Sequence, residues 1–196
     1  MENILYLDDY INFYIKKLNK LEVIKPYKNT LDNGKIIDRN KFIKIFKKIK
    51  EIYKLNNFIF NEKIIIIINK TYNKEDKILL LQIMEELEYK NITFINELEL
   101  IKIGKKSLFI NFNYTYFYIY YMDEYGLINI INLKNNMIIK KVLNHIINLL
   151  NKNTIIITGK NYKELVNMLK KTKHNYLYYE ENECLFINLF IKNKSV

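Results

Sequence analysis

The stretch that decides the fold is KIIIIINKTYNKEDKILLLQIMEELEYKNITFINELELIKIG, residues 63–104. Ile64 to Ile68 form an apolar run without alternation, the pattern of a central strand buried on both faces, as parallel strands flanked by helices are. Asn73 with Asp76 three residues on is a capping signal, and Leu79, Leu80, Ile83, Met84 and Leu87 follow at helical spacing. Ile92 to Ile95 reads as another strand, and Glu97 to Ile103 as a short helix.

Upstream, Ile4 to Asp9, Asn12 to Leu18 and Leu21 to Pro26 read as a three-stranded meander. A turn-like stretch, Asn29 to Gly34, leads to Asp38, the N-cap of a helix that carries Phe42, Ile45, Phe46, Ile49, Ile52 and Tyr53 on one face. Downstream, the same order returns. Leu108 to Tyr114, Phe117 to Met122 and Leu127 to Leu133 read as strands, with Asp123 to Gly126 as a hairpin turn. A helix over Met137 to Leu150, a strand at Ile155 to Ile157, a helix opening at Asn161 and running through Lys171, a strand at Tyr176 to Tyr179 and a helix at Glu183 to Ile191 complete it. The expected fold class is therefore α/β, with a βββαβαβα order used twice. Four Gly and the single Pro26 leave no linker, so the seam is expected at Gly104-Lys105-Lys106, dividing the chain into 1–104 and 105–196.

Composition narrows the function classes. The longest purely apolar run is far shorter than the roughly 20 residues of a membrane helix, and the start Met-Glu-Asn-Ile has no basic n-region, which points to the cytoplasm. Cys184 has no second cysteine to pair with, and His145 and His174 supply no metal-ligand spacing, so no metal is expected. Neither histidine has an acidic orienter in view, and Glu85-Glu86 and Glu180-Glu181, adjacent in sequence, do not face one another. The net charge of +11 favours anionic partners. All but one of the 32 basic residues are Lys, however, Arg39 being the exception, and Arg is the side chain suited to bidentate phosphate recognition. Solvated Lys faces, in a chain rich in the amino acids of A and T codons, are the simpler reading.

The doubled order resembles the actin-like ATPase superfamily of actin, sugar kinases, heat-shock ATPases and the bacterial MreB, FtsA and PilM types; each half also resembles a ribonuclease H-like fold. VIKPYKNTLDNGKIID at 23–38 resembles the bacterial actin segment that runs through Gly-Val-Ile to a helix-capping Asp, and residues 63–104 resemble the strand, helix, strand and helix that follow it. LFINFNYTYFYIYYMDEYG at 108–126 is similar to the second phosphate loop and its hairpin, and IIITGKNYKEL at 155–165 to the adenosine motif. LYLDDYINFYIKK at 5–17 resembles the first phosphate loop.

The resemblance implies a set of cleft positions: Asp8, Tyr10, Glu97, Asn111, Tyr114, Thr115, Thr158 and Gly159. At these positions the family uses Gly-rich hairpins whose backbone N–H groups reach phosphate, whereas this chain has Asp8-Asp9-Tyr10 and Asn111-Phe112-Asn113-Tyr114-Thr115. The acidic metal-positioning residue is kept at Asp8 and replaced at Asn111, and Glu97 stands where the family orients the attacking water. The inserted B subdomains have no room, since the corresponding gaps are only Tyr27 to Ile37 and Lys134 to Met137.

These departures lead to a non-catalytic actin-like scaffold, with no catalytic residue and no cofactor. It would serve a bacterial cytoskeletal or envelope assembly (cell shape, division or pilus machinery) by binding a protein partner, itself or a membrane-associated complex at the inner face of the membrane. Two alternatives stand beside it. One is a divergent ATPase relying on Asp8, Glu97, Thr115, Thr158 and Gly159. The other is a basic nucleic-acid-binding module that stacks bases on Tyr114, Tyr116, Tyr118 and Tyr120.

Overall fold

A computed structural model describes residues 2–8, 10–55, 63–100, 107–112, 116–122, 128–134, 154–159, 166–167, 169–170, 175–178 and 184–194. The expected helix at Met137 to Leu150 with His145, the turn at Asp123 to Gly126, the seam at Gly104 to Lys106 and His174 lie outside these residues. Contacts divide the chain into two compact units, Met1–Leu100 with Phe186–Val196, and Ile101–Leu185.

In the first unit, β1 (Glu2–Leu7), β2 (Ile11–Ile15) and β3 (Lys20–Ile24) form the meander. A hairpin of β4 (Leu31–Asp32) and β5 (Lys35–Ile36) precedes α1 (Arg39–Ile52). Then come β6 (Lys63–Ile68), α2 (Lys74–Glu86), β7 (Asn91–Asn96) and α3 (Glu97–Leu100). The sheet order is β3-β2-β1-β6-β7, with β6 parallel to both β1 and β7.

The isoleucines at 64–68 are all at most 5% exposed. One set, Ile64, Ile66 and Ile68, joins Leu5, Leu7 and Phe13 in a core with Phe42, Phe46 and Ile49 of α1 and Leu80, Ile83 and Met84 of α2. Ile65, Ile67, Ile4 and Tyr6, which alternate with that set and point to the opposite face, are buried as well. On that face Tyr6 meets Phe186 of the terminal helix α4 (Leu185–Lys194), their ring centroids 5.0 Å apart. Burial on both faces explains why the run has no polar alternation, and each such side chain contributes about 2 kcal/mol.

In the second unit, β8 (Ser107–Phe112), β9 (Tyr116–Met122), β10 (Ile128–Lys134), β11 (Thr154–Gly159) and β12 (Asn175–Tyr178) form a sheet of order β10-β9-β8-β11-β12. β11 runs parallel to β8 and β12, and β9 antiparallel to β8 and β10. The two sheets thus share one strand order and one pattern of directions.

Local signals set the helix starts. Asp38 accepts a hydrogen bond from the Lys41 N–H at 3.0 Å, and Asn73 and Asp76 form a reciprocal capping box at 2.8 and 2.9 Å. Three readings needed adjustment. The second strand stops at Ile15 and continues as a 3₁₀ turn over Lys16–Leu18, closed by Asn19 in the left-handed region. The stretch Asn29 to Gly34 contributes to a hairpin, not to a turn alone. On α1, Ile52 is 60% exposed while Lys50 is buried. The Lys50 ammonium donates to the Leu87 carbonyl at 2.7 Å and pairs with Glu88 at 3.3 Å, so a cation caps the end of α2 from the neighbouring helix.

Lys50→Met keeps the stem and removes the donor, leaving the Leu87 carbonyl without it. A loss of about 2 kcal/mol in urea unfolding is expected. Acid titration gives a second check. Burial pushes Glu22 up, but hydrogen bonds from Lys20 and Tyr53 outweigh it and hold the carboxyl below its usual range. The Lys41 N–H and then its ammonium do the same for Asp38. Both folded pKa values are depressed, so their stabilisation is present above the unfolded value near pH 4 and is lost as pH falls below it. Asp38→Asn, which retains a capping oxygen, should flatten the fall in urea midpoint between neutral and acid pH.

Candidate functional site

In parallel α/β sheets, ligands gather outside the carboxyl ends of the strands. In the first unit that end carries Asp8 after β1, Asn69 after β6 and Glu97 after β7.

Asp8 turns the chain from β1 into β2, and its carboxylate faces its own turn. Its Oδ1 accepts from the Tyr10 N–H at 2.6 Å and from the Asn12 amide at 3.2 Å. The Asp8 N–H in turn donates to the Tyr10 carbonyl at 3.1 Å. Asn12, 3% exposed, also reaches the Tyr6 carbonyl at 3.3 Å. A phosphate-binding turn leaves its backbone N–H groups aimed outward at an external anion. Here the Tyr10 N–H is directed to a carboxylate of the same turn.

Glu97 is 1% exposed. Its Oε2 accepts from the Tyr6 hydroxyl at 3.1 Å and its Oε1 from the Lys70 N–H at 3.3 Å. Burial lowers the pKa of the Lys70 ammonium, and the nearby Glu97 carboxylate offsets part of that shift. A base that orients water needs an oxygen within reach of that water. Each Glu97 oxygen accepts a hydrogen bond from a group of the first unit.

The β4–β5 hairpin reaches the same end of the sheet. Its tip, Asn33-Gly34, has two left-handed residues, φ 50° and 80°, the geometry of a tight hairpin turn. The Asn69 amide donates to the Asn33 carbonyl at 3.1 Å, and the Tyr72 hydroxyl donates to the Gly34 carbonyl at 2.6 Å. Burial, and then the Asp76 carboxylate, raise the Tyr72 pKa, so this hydroxyl remains a donor. Lys35 pairs with Asp76 at 2.7 Å. A Cβ on Gly34 would lie 2.5 Å from both the Asn69 amide nitrogen and the Leu7 carbonyl oxygen, so the tip sits directly on the end of β1. Between β3 and α1 the chain therefore holds one two-stranded hairpin.

In the second unit the parallel register sets Asn111 beside Thr158 and Phe112 beside Gly159, at the carboxyl ends of β8 and β11. Asn111 is also in register with Tyr118 of β9. Tyr114 and Thr115 lie outside the described residues. Of the sequence-derived positions, Asp8 and Tyr10 share one turn, Glu97 sits at the same sheet end, and Asn111, Thr158 and Gly159 occupy one end of the second sheet. Sequence reasoning missed Asn12, Tyr6, Asn69 and Gly34 as partners. An amide within the apolar strand Ile11–Ile15 was the available signal for Asn12, and the Asn-Gly pair for the hairpin.

No family model and no curated protein matches the chain. Among solved structures, MreB5 of Spiroplasma citri bound to ADP aligns over 100% of this chain and 95% of its own length, at TM-score 0.56 and 11% identity. The ethanolamine utilization protein EutJ from Carboxydothermus hydrogenoformans aligns over 95% and 87%, at TM-score 0.63 and 9% identity. A Bacteroides thetaiotaomicron protein with an actin-like ATPase fold and unknown function aligns over 97% and 95%, at TM-score 0.55 and 10% identity. The chain has the actin-like ATPase fold, and at these identities the likeness extends to the fold alone. Among the described residues no helix is long and apolar enough to cross a membrane.

Gly34→Ala tests the docked hairpin tip. The backbone oxygen of Leu7 is held in a central strand and cannot yield, and φ 80° is strained for alanine. A destabilisation of about 2 kcal/mol or more in urea unfolding is expected.

Proposed function

We propose that this chain is a non-catalytic actin-like scaffold or adaptor that works through a protein partner in a bacterial cytoskeletal or envelope-associated assembly. The observation that carries this reading is the hydrogen bond from the Tyr10 N–H to Asp8 Oδ1. A triphosphate held in the manner of this fold would need donors from that turn, and one donor is already committed to an internal anion. The enclosed Glu97 supports the same reading, since a buried carboxylate bonded to Tyr6 and Lys70 is placed as a tie between β1, β6 and α3. MreB5 of Spiroplasma citri binds ADP on the same fold. In this chain the fold is retained while the first loop is closed on itself, which is consistent with a surface, and not a pocket, carrying function.

Calorimetry with a non-hydrolysable ATP analogue and Mg²⁺ tests the reading, and Asp8→Ala sharpens it. The expected outcome is no saturable binding tighter than about 1 mM. The variant should lose about 1–2 kcal/mol of folding stability, because the Tyr10 N–H and the Asn12 amide lose their acceptor. Micromolar binding by the unaltered chain, abolished by Asp8→Ala at unchanged stability, would replace the scaffold with a divergent ATPase.

A further inference from the structure

On α1, away from the strand ends, a groove of about 650 Å³ runs along the exposed face. It is lined by Asn40, Ile43, Lys44, Lys47, Lys48 and Glu51 of α1, together with Tyr27 and Glu86. Among the described residues, Lys20, Lys35, Lys41, Lys50, Lys63 and Arg39 each pair with a carboxylate. Lys44, Lys47 and Lys48 are exposed and, like Lys74, Lys77 and Lys90, form no such pair among the described residues. Lys47 and Lys48 stand three and four residues after Lys44, so each neighbours Lys44 on the helix surface, about 5–6 Å away at Cβ. Glu86 is held by Arg39, and Glu51 also lines the groove. Tyr27 is 55% exposed, which leaves a ring face available beside the cations.

We propose that this groove binds single-stranded nucleic acid, with Lys44, Lys47 and Lys48 following successive phosphates and Tyr27 stacking against one base. Unpaired lysines supply point charges that track a backbone without reading sequence, and an aromatic ring accepts any base. The Asn40 amide adds a neutral hydrogen-bonding group beside them. This is a different surface from the alternating Tyr114, Tyr116, Tyr118 and Tyr120 that the sequence suggested.

The test is fluorescence anisotropy with a labelled 20-residue oligothymidylate across a salt series, on the full chain. Lys44→Gln/Lys47→Gln/Lys48→Gln is compared with a charge-matched control, Lys74→Gln/Lys77→Gln/Lys90→Gln, whose lysines are also exposed. The α1 variant should bind more weakly and flatten the slope of log K against log salt by about 2, at roughly 0.7 per phosphate contact, while the control changes little. Tyr27→Ala should weaken binding about five- to hundredfold at unchanged salt slope, and Tyr27→Phe should preserve it. Equal losses in the two lysine variants would show diffuse attraction to a cationic chain and overturn the site. Labelled polyglutamate bound as tightly, with Tyr27→Ala silent, would assign the groove to acidic protein segments and overturn the nucleic-acid reading. No binding of either probe overturns it outright.

Discussion

The structure of the first unit depends on one strand that has no solvated face. With Ile64 to Ile68 buried throughout, β6 must lie inside a sheet and that sheet must be covered on both sides. α1 and α2 cover one side, and α4 supplies Phe186 to the other. Because β6 is parallel to β1 and β7, the carboxyl ends of all three strands meet at one edge. The core therefore positions Asp8, Asn69 and Glu97 together before any chemistry is assigned to them.

At that edge the chain satisfies its own polar groups. Asp8 binds the Tyr10 N–H, Glu97 binds Tyr6 and Lys70, and the Asn33-Gly34 tip fits against Leu7 and Asn69. Each contact gives one of these groups a partner within the chain. Such internal satisfaction favours stability, because a buried donor or acceptor left without a partner costs about 1–3 kcal/mol. The proposal of a scaffold follows from this closure in the first loop, since the fold by itself is shared by proteins with different tasks.

Much of the fold was legible because its signals are local. The isoleucine run, the Asn73–Asp76 box and the Asp38 cap each act within a few residues, and each was found where its spacing indicated. The inward position of Lys50 was not legible, because its partners Leu87 and Glu88 lie 37 and 38 residues away and a lysine on a helix reads as solvated. The site was legible in its positions but not in its bonding. Asp8 could be aligned with a metal-positioning carboxylate from sequence, yet whether it faces outward or into its own turn depends on Tyr10 and Asn12 folding back toward it. Tyr6 likewise reads as an ordinary strand residue until α3 brings Glu97 to its hydroxyl across 91 positions of sequence.

Amide hydrogen exchange at the single Tyr10 N–H, followed with and without Mg²⁺ and ATP, tests the closed turn most directly. Protection in the nucleotide-free chain that ATP leaves unchanged is the predicted result. Rapid exchange that becomes protected only when ATP is added would show a turn open to phosphate, and would contradict the account.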